Sequence, residues 1–223
     1  MRISNRRDAG KALSAVAVVL ACAIAVSGCT DGTPEAKSAD LCTLPDGSVE
    51  LDLLRQIIAG ELDTGSTPAD RLTANLKKDL RDREPSDESP GRSVCLYRPE
   101  QQAKPHRVVV QARWVPRDAS KDRPMAEGAP FDVNGVPGET NDIASRLYVP
   151  CDLPGDLRAS SDKVWLKADV SYSVNIPRSP GDQARKDRQT TFAYLMARRV
   201  TEALGCENEP LSKPPVVSPV PTP

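Results

Sequence analysis

Between residues 163 and 174 apolar and polar positions alternate without a break. Val164, Leu166, Ala168, Val170, Tyr172 and Val174 share one face, and Trp165, Lys167, Asp169, Ser171 and Ser173 the other. A period of two is that of an extended strand with one buried side. Residues 107–114 repeat the pattern, with Val108, Val110, Ala112 and Trp114 set against Val109, Gln111 and Arg113. Residues 93–98 (SVCLYR) are rich in β-branched and aromatic side chains, and a short strand is expected over 147–151, ending at Pro150.

Elsewhere the period is helical. Within 48–59, Leu51, Leu54 and Ile58 fall on one face with Leu53 and Ile57 beside it, and Gly60 is a fitting stop. Thr67 followed by Pro68 reads as an N-cap with proline at the first helical position, opening a helix to about residue 83 in which Leu72, Leu76 and Leu80 recur every fourth position. A third helix is expected over 187–204, its buried stripe formed by Phe192, Leu195, Met196, Val200, Ala203 and Leu204, with Gly205 as its cap. Residues 115–142 hold many prolines and glycines and read as a long loop with little regular structure. These elements predict an α+β domain: an antiparallel sheet of about four to five strands with two or three helices packed on one face.

The first 28 residues follow another logic. Arg2, Arg6, Arg7 and Lys11 precede an apolar run from Ala12 to Val26, too short to span a bilayer comfortably, and Val26-Ser27-Gly28-Cys29 follows directly. A basic start, a short apolar stretch and small residues before a cut are the pattern of a secretory signal. With cysteine at the cut, the segment resembles the lipobox of bacterial lipoproteins. That resemblance implies cleavage before Cys29, a diacylglyceryl group on its thiol and acylation of the new amino group, by palmitate or a similar chain. Two or three acyl chains, at about 0.8 kcal/mol per buried CH₂, make a stable anchor where one chain does not. The expected location is the extracytoplasmic face of the cell membrane.

The remaining organisation follows from composition. Residues 29–40 form a small, polar tether without apolar period, 41–206 the single domain, and 207–223, with six prolines, an extended and disordered tail. The layout of lipobox, tether, disulfide-bearing domain and closing helix is similar to that of the small exported lipoproteins of actinobacteria. Arginine outnumbering lysine twenty to ten suits a GC-rich genome.

Six cysteines divide accordingly: Cys22 leaves with the signal peptide and Cys29 takes lipid. Cys42, Cys95, Cys151 and Cys206 remain in an oxidising compartment, where two disulfides are expected. Three pairings are possible. Similar spacings and the parallel phrases Cys42-Thr43-Leu44-Pro45 and Cys151-Asp152-Leu153-Pro154 favour Cys42 with Cys95 and Cys151 with Cys206. No C-x-x-C spacing occurs, so no zinc site or other metal is expected.

Charge and residue counts narrow the chemistry. Thirty basic residues balance thirty-one acidic ones, and removing the signal leaves the chain mildly acidic, which argues against nucleic acid as a partner. A single histidine, His106, is the one candidate imidazole base, and it stands in a polar setting at a strand entrance. Asp63-Thr64-Gly65-Ser66 matches the phrase of aspartic proteases but occurs once, where the chemistry needs two, and reads as a turn. Ser160-Ser161-Asp162-Lys163 matches S-x-x-K, yet it lacks the S-D-N and K-T-G phrases and leads into a strand instead of opening a helix. No catalytic residues and no cofactor are therefore expected.

The functional expectation is a lipid-anchored binding or sensory module for a small molecule, a wall component or a protein. An envelope hydrolase without a recognisable motif and a structural or assembly factor are the alternatives. Trp165 with Lys167 is the candidate binding pair, because a tryptophan on the polar face of a strand suits either a second small core or an exposed anchor. Replacing Cys29 by Ser should abolish acylation and move the protein out of the membrane fraction. Unchanged partitioning into detergent would refute lipidation at this residue.

Overall fold

The computed structural model describes residues 40–58, 60–100, 106–118, 124–174 and 183–220. The signal segment, Cys29 and all but the last residue of the expected tether lie outside the described residues. Residues 37–223 form one compact unit.

The fold is α+β, with one antiparallel sheet of eight strands and four helices. In chain order these are α1 (Val49–Ile57), β1 (Leu62–Ser66), α2 (Ala69–Asp82), β2 (Arg92–Pro99), β3 (Arg107–Pro116), β4 (Ala129–Val133), β5 (Val136–Thr140), β6 (Ala144–Val149), the one-turn α3 (Arg158–Ser161), β7 (Val164–Ser173), α4 (Gln183–Leu204) and β8 (Val217–Pro219). Across the sheet the strands run β1-β2-β3-β7-β6-β5-β4-β8. The ladder between β3 and β7, ten residue pairs from Arg107↔Ser173 to Pro116↔Val164, forms its middle.

The inner face of the sheet carries the expected apolar set. Val108, Val110, Ala112 and Trp114 of β3 and Val164, Leu166, Ala168, Val170 and Tyr172 of β7 are all buried, in one core with Leu54 of α1, Leu72, Leu76 and Leu80 of α2 and Phe192, Met196 and Val200 of α4. The polar groups of Trp114, Tyr172 and Tyr97, which the strands contribute to it, all find partners. Trp114 Nε1 donates to Leu76 O at 2.8 Å, Tyr172 Oη to Gln189 O at 2.7 Å and Tyr97 Oη to Cys42 O at 3.1 Å. Each bond ties the sheet to a segment covering it, and each satisfies a group that would be costly to bury alone. Burial pushes the Tyr97 and Tyr172 phenols well above their ordinary range.

The disulfides are Cys42–Cys95 and Cys151–Cys206, with Cα separations of 5.5 and 5.0 Å. The first fastens the start of the domain to β2, and the second fastens the segment after β6 to the end of α4. Among the described residues no helix is long and apolar enough to cross a membrane.

The sheet is wider than the alternation pattern foretold. The stretch 115–142, expected as a loop, contains β4 and β5, a hairpin closed by Asn134 and Gly135, both with positive φ (55° and 89°). Asn-Gly is the strongest short signal for a two-residue hairpin turn; here it is flanked by prolines that mask the strands. Pro130 and Pro137 face Glu139 and Asp132, at positions where the ladder of such a hairpin needs no N–H, so neither breaks it. Asp63-Thr64-Gly65-Ser66, expected as a turn, is most of edge strand β1. Thr67 does not cap α2: its hydroxyl donates to Ser93 O at 2.8 Å and Pro68 takes the cap position.

The tail needs the largest correction. Expected to be disordered, 207–220 is laid along α4. Leu211 is buried, and Glu207 N donates to Asp152 O at 2.8 Å. Arg198 Nε donates to Leu211 O at 2.6 Å, and Tyr194 Oη to Lys213 O at 3.0 Å. The strand β8 then pairs with β4 at the sheet edge. The prolines exclude helix, but an edge strand and a strap that accepts side-chain donors need few backbone N–H groups. This cover explains why α4 is buried beyond its expected stripe, at Ala193, Tyr194, Ala197 and Thr201 as well.

Gly138 offers a sharp check on the hairpin. A Cβ built there would lie 2.4 Å from both the Phe131 ring and Arg146 O. Gly138→Ala should therefore lower stability by about 1–3 kcal/mol in chemical denaturation, the usual range for overpacking. An unchanged denaturation midpoint would mean that Phe131 does not cross this position.

Candidate functional site

Among the described residues no helix covers the outer face of the sheet, and the register assembles its polar residues. Arg113 of β3 stands opposite Lys167 of β7, Gln111 opposite Asp169, and Val115 opposite Trp165. On the other side of β7, Arg146 of β6 faces Asp169, Tyr148 faces Lys167, and Glu139 of β5 faces Arg146. Directly opposed residues share a face and lie close enough to interact. The long ladder thus brings a four-strand patch of charge to the centre of the sheet.

Asp169 is its hub. Arg146 Nε lies 3.0 Å from one carboxylate oxygen, and Lys167 Nζ and Arg113 Nε lie 3.6 and 3.8 Å from the other. Two further carboxylates stand at the outer ends: Glu88 is 3.5 Å from Arg113 Nη1 and Glu139 3.9 Å from Arg146 Nη1. Local structure places both. The Glu88 segment is held beside β3 because Ser89 N donates to Trp114 O and Trp114 N to Ser89 Oγ. Glu139 accepts from Met125 N at 3.0 Å, which draws the segment before β4 over the patch.

Glu88, Arg113, Arg146, Lys167 and Asp169 line a depression of about 370 Å³ with Gln111, Ser171 and Ala144, and Glu139 stands outside its lining. Three cations and, with Glu139, three carboxylates leave the cluster as a whole without net charge, yet its pairing is loose. Four of the five contacts are 3.5–3.9 Å long, at or beyond hydrogen-bond reach, and the buried Nε atoms of Arg113 and Arg146 meet Asp169 as ion-pair contacts without hydrogen-bond geometry. Lys167 is only 9% exposed. Tyr148, beside it, is buried, and burial with the nearby Glu139 carboxylate pushes its phenol up to about 12.

Trp165 lies on the same face, at its margin. Its ring is half-buried, with the Arg117 guanidinium 4.8 Å above it and Nε1 donating to Arg117 O at 3.2 Å. The cover comes from the segment just after β3, while α2 packs on the opposite face. Trp165 and Lys167 therefore share a face but differ in setting: the indole is partly open, and the ammonium is sunk among charges. Arg113, Arg146, Glu139, Glu88 and Tyr148 were not singled out from sequence. Alternation already put Arg113 and Gln111 on a polar face, but their meeting with Lys167 depends on β3 pairing with β7 across the inserted strands β4 to β6.

The residues weighed for catalysis are dispersed. Asp63 pairs with Arg98 at 2.6 Å on the exposed edge. Ser161 Oγ is buried, accepting from Leu153 N at 3.1 Å and donating to Arg158 O at 2.9 Å, a structural role. His106 stands half-buried just ahead of β3. Two other depressions flank the helical layer. One of about 330 Å³ lies between α1 and β1, and one of about 510 Å³ lies between the end of α4 and the tail. Comparison with protein-family models, curated proteins and solved structures finds no match.

The hub position makes a clear energetic prediction. Asp169→Asn removes the shared counter-charge of three cations and should cost about 2 kcal/mol. That is less than the ~3–5 typical of a fully buried pair, because the carboxylate keeps a fifth of its surface. Lys167→Met, which leaves Asp169 both arginines and a similar volume, should shift stability by less than about 1 kcal/mol. Equal losses in the two variants would remove Asp169 from the centre of the network.

Proposed function

We propose that this chain is a lipid-anchored binding module of the cell envelope, held to the membrane through acylated Cys29, whose ligand-contacting surface is the polar outer face of the sheet. The single observation behind this reading is the asymmetry of the two faces. The inner one is filled by three helices, whereas the outer carries a loosely paired charged depression with a tryptophan at its margin. Such a cluster adds little to stability, since desolvation offsets most of the attraction between its charges. Charged side chains on a rigid sheet, backed by a full core and two disulfides, are well suited to hold a ligand without rearranging. The anchor half of the proposal is supported by the Val26–Cys29 segment described above.

Trp165 supplies the readout, because the other tryptophan, Trp114, is fully buried. Titrating the protein with solubilised fractions of the envelope (wall fragments, lipids and periplasmic solutes in turn) should change the fluorescence of Trp165 with at least one of them. The change should disappear in Lys167→Glu. A response of equal size in that variant would move the ligand off this face.

A further inference from the structure

We infer that the outer-face depression is a site for an oxyanion, the carboxylate or phosphate group of a ligand, held by Arg113, Arg146 and Lys167. The inference rests on the binding-face reading above and adds the chemical class of what is bound.

The first argument is a count of donors. Two guanidinium groups and one ammonium present thirteen N–H bonds by their chemistry. The three carboxylates meet them mostly at 3.5–3.9 Å, and two of the innermost donors, the Nε groups of Arg113 and Arg146, are buried against Asp169 at 3.8 and 3.0 Å as ion-pair contacts without hydrogen-bond geometry. An unmade hydrogen bond at a buried donor costs more than a made one returns, so such donors normally have a partner. The outer donors fare no better: the Nη groups of both arginines and the ammonium meet carboxylate oxygen at 3.5–3.9 Å.

The second argument is how the charge is distributed. Asp169 is the one carboxylate among three cations at the centre, while Glu88 and Glu139 sit at opposite ends, each against the distal nitrogen of one arginine. The centre is therefore locally positive although the patch is neutral as a whole. Lys167 carries this furthest. Its side chain is 11% exposed, and its recorded ion pair is a 3.6 Å contact to an oxygen that also faces Arg113. Guanidinium forks suit planar or tetrahedral oxyanions, and a shielded ammonium beside them adds a point charge. The neutral total also limits strength: with little long-range attraction, binding should be modest and only weakly steered by charge.

The test uses the acylated protein in neutral detergent. Inorganic phosphate and acetate are titrated at constant ionic strength by calorimetry, with chloride as the control anion. Phosphatidylglycerol against phosphatidylcholine, added to the micelles, separates a headgroup from a free anion. The expected result is saturable one-to-one binding of phosphate, acetate or the acidic headgroup, weakened at least tenfold in Lys167→Met and in Arg146→Gln, with chloride inert. Thermal unfolding of each variant confirms that it is folded, and Lys167→Met is the decisive one because its stability should be preserved. Absence of saturable anion binding overturns the inference, as does binding unchanged in both variants, which would place the anion elsewhere. If neutral wall fragments alter Trp165 fluorescence while every anion is silent, the oxyanion is refuted and the binding face stands. If neither responds, both fall.

Discussion

The ladder between β3 and β7 is the constraint on which the rest of this structure depends. It joins two halves of the chain that are otherwise built locally: α1 to β3 on one side and the β4–β6 meander with the tail on the other. Its ten pairs place Trp114 against Leu166 on the inside and Arg113 against Lys167 on the outside. Because side chains alternate, a slip of one residue would send every one of them to the opposite face. The inner set resists that slip strongly, since Trp114, Val164, Leu166 and Val170 are all essentially without exposure. The register of the polar face is thus imposed by the apolar one, and the ionic cluster receives its geometry without having to stabilise itself.

How much of this could be read from the chain depends on how local each signal is. The alternation of 164–174 and of 108–114, the three long helices and the disulfide pairing all appear in the structure, because each follows from side chains close in sequence or from paired phrases. The hairpin of β4 and β5 was also locally encoded, in Asn134-Gly135, but Pro130 and Pro137 concealed it. The tail is a different case. Nothing within 207–223 predicts order, since Leu211 has no periodic companions; its place comes from Arg198 and Tyr194 on α4, which supply the hydrogen bonds that its own backbone cannot. Edge strand β1 is likewise defined by its partner β2 and not by its own five residues, which include Gly65 and few apolar side chains.

The candidate site was legible in part for the same reason. Trp165 and Lys167 stand on a polar strand face by simple alternation, and the structure keeps them there. Their neighbours Arg146, Tyr148 and Glu139 arrive through strands separated from β3 by a long insertion, and no periodicity within one strand announces which strand it will pair with. Trp165 also illustrates that a face is not an environment. Alternation sets the direction of the indole, but Arg117, from the segment following β3, determines how much of it remains open.

The distribution of fastening points separates the two faces further. Both disulfides and the buried hydrogen bonds of Trp114, Tyr172 and Tyr97 act on the helical side, where they hold α2, α4 and the segment before α1 to the sheet. Among the described residues the outer face is fastened by ion pairs and by the short segments carrying Glu88, Arg117 and Met125. Stability and recognition place opposite demands on a surface, for a well-packed face has nothing left to offer a ligand, and unsatisfied donors weaken a core. Here the two demands fall on opposite sides of one sheet. The inner side can be close-packed because the polar groups of Trp114, Tyr172 and Tyr97 find backbone partners, and the outer side can keep loosely paired charges because the register holding them is secured from behind. On the proposed reading, changes on the outer face should alter binding more readily than folding, with Asp169 the exception, since it is shared by all three cations.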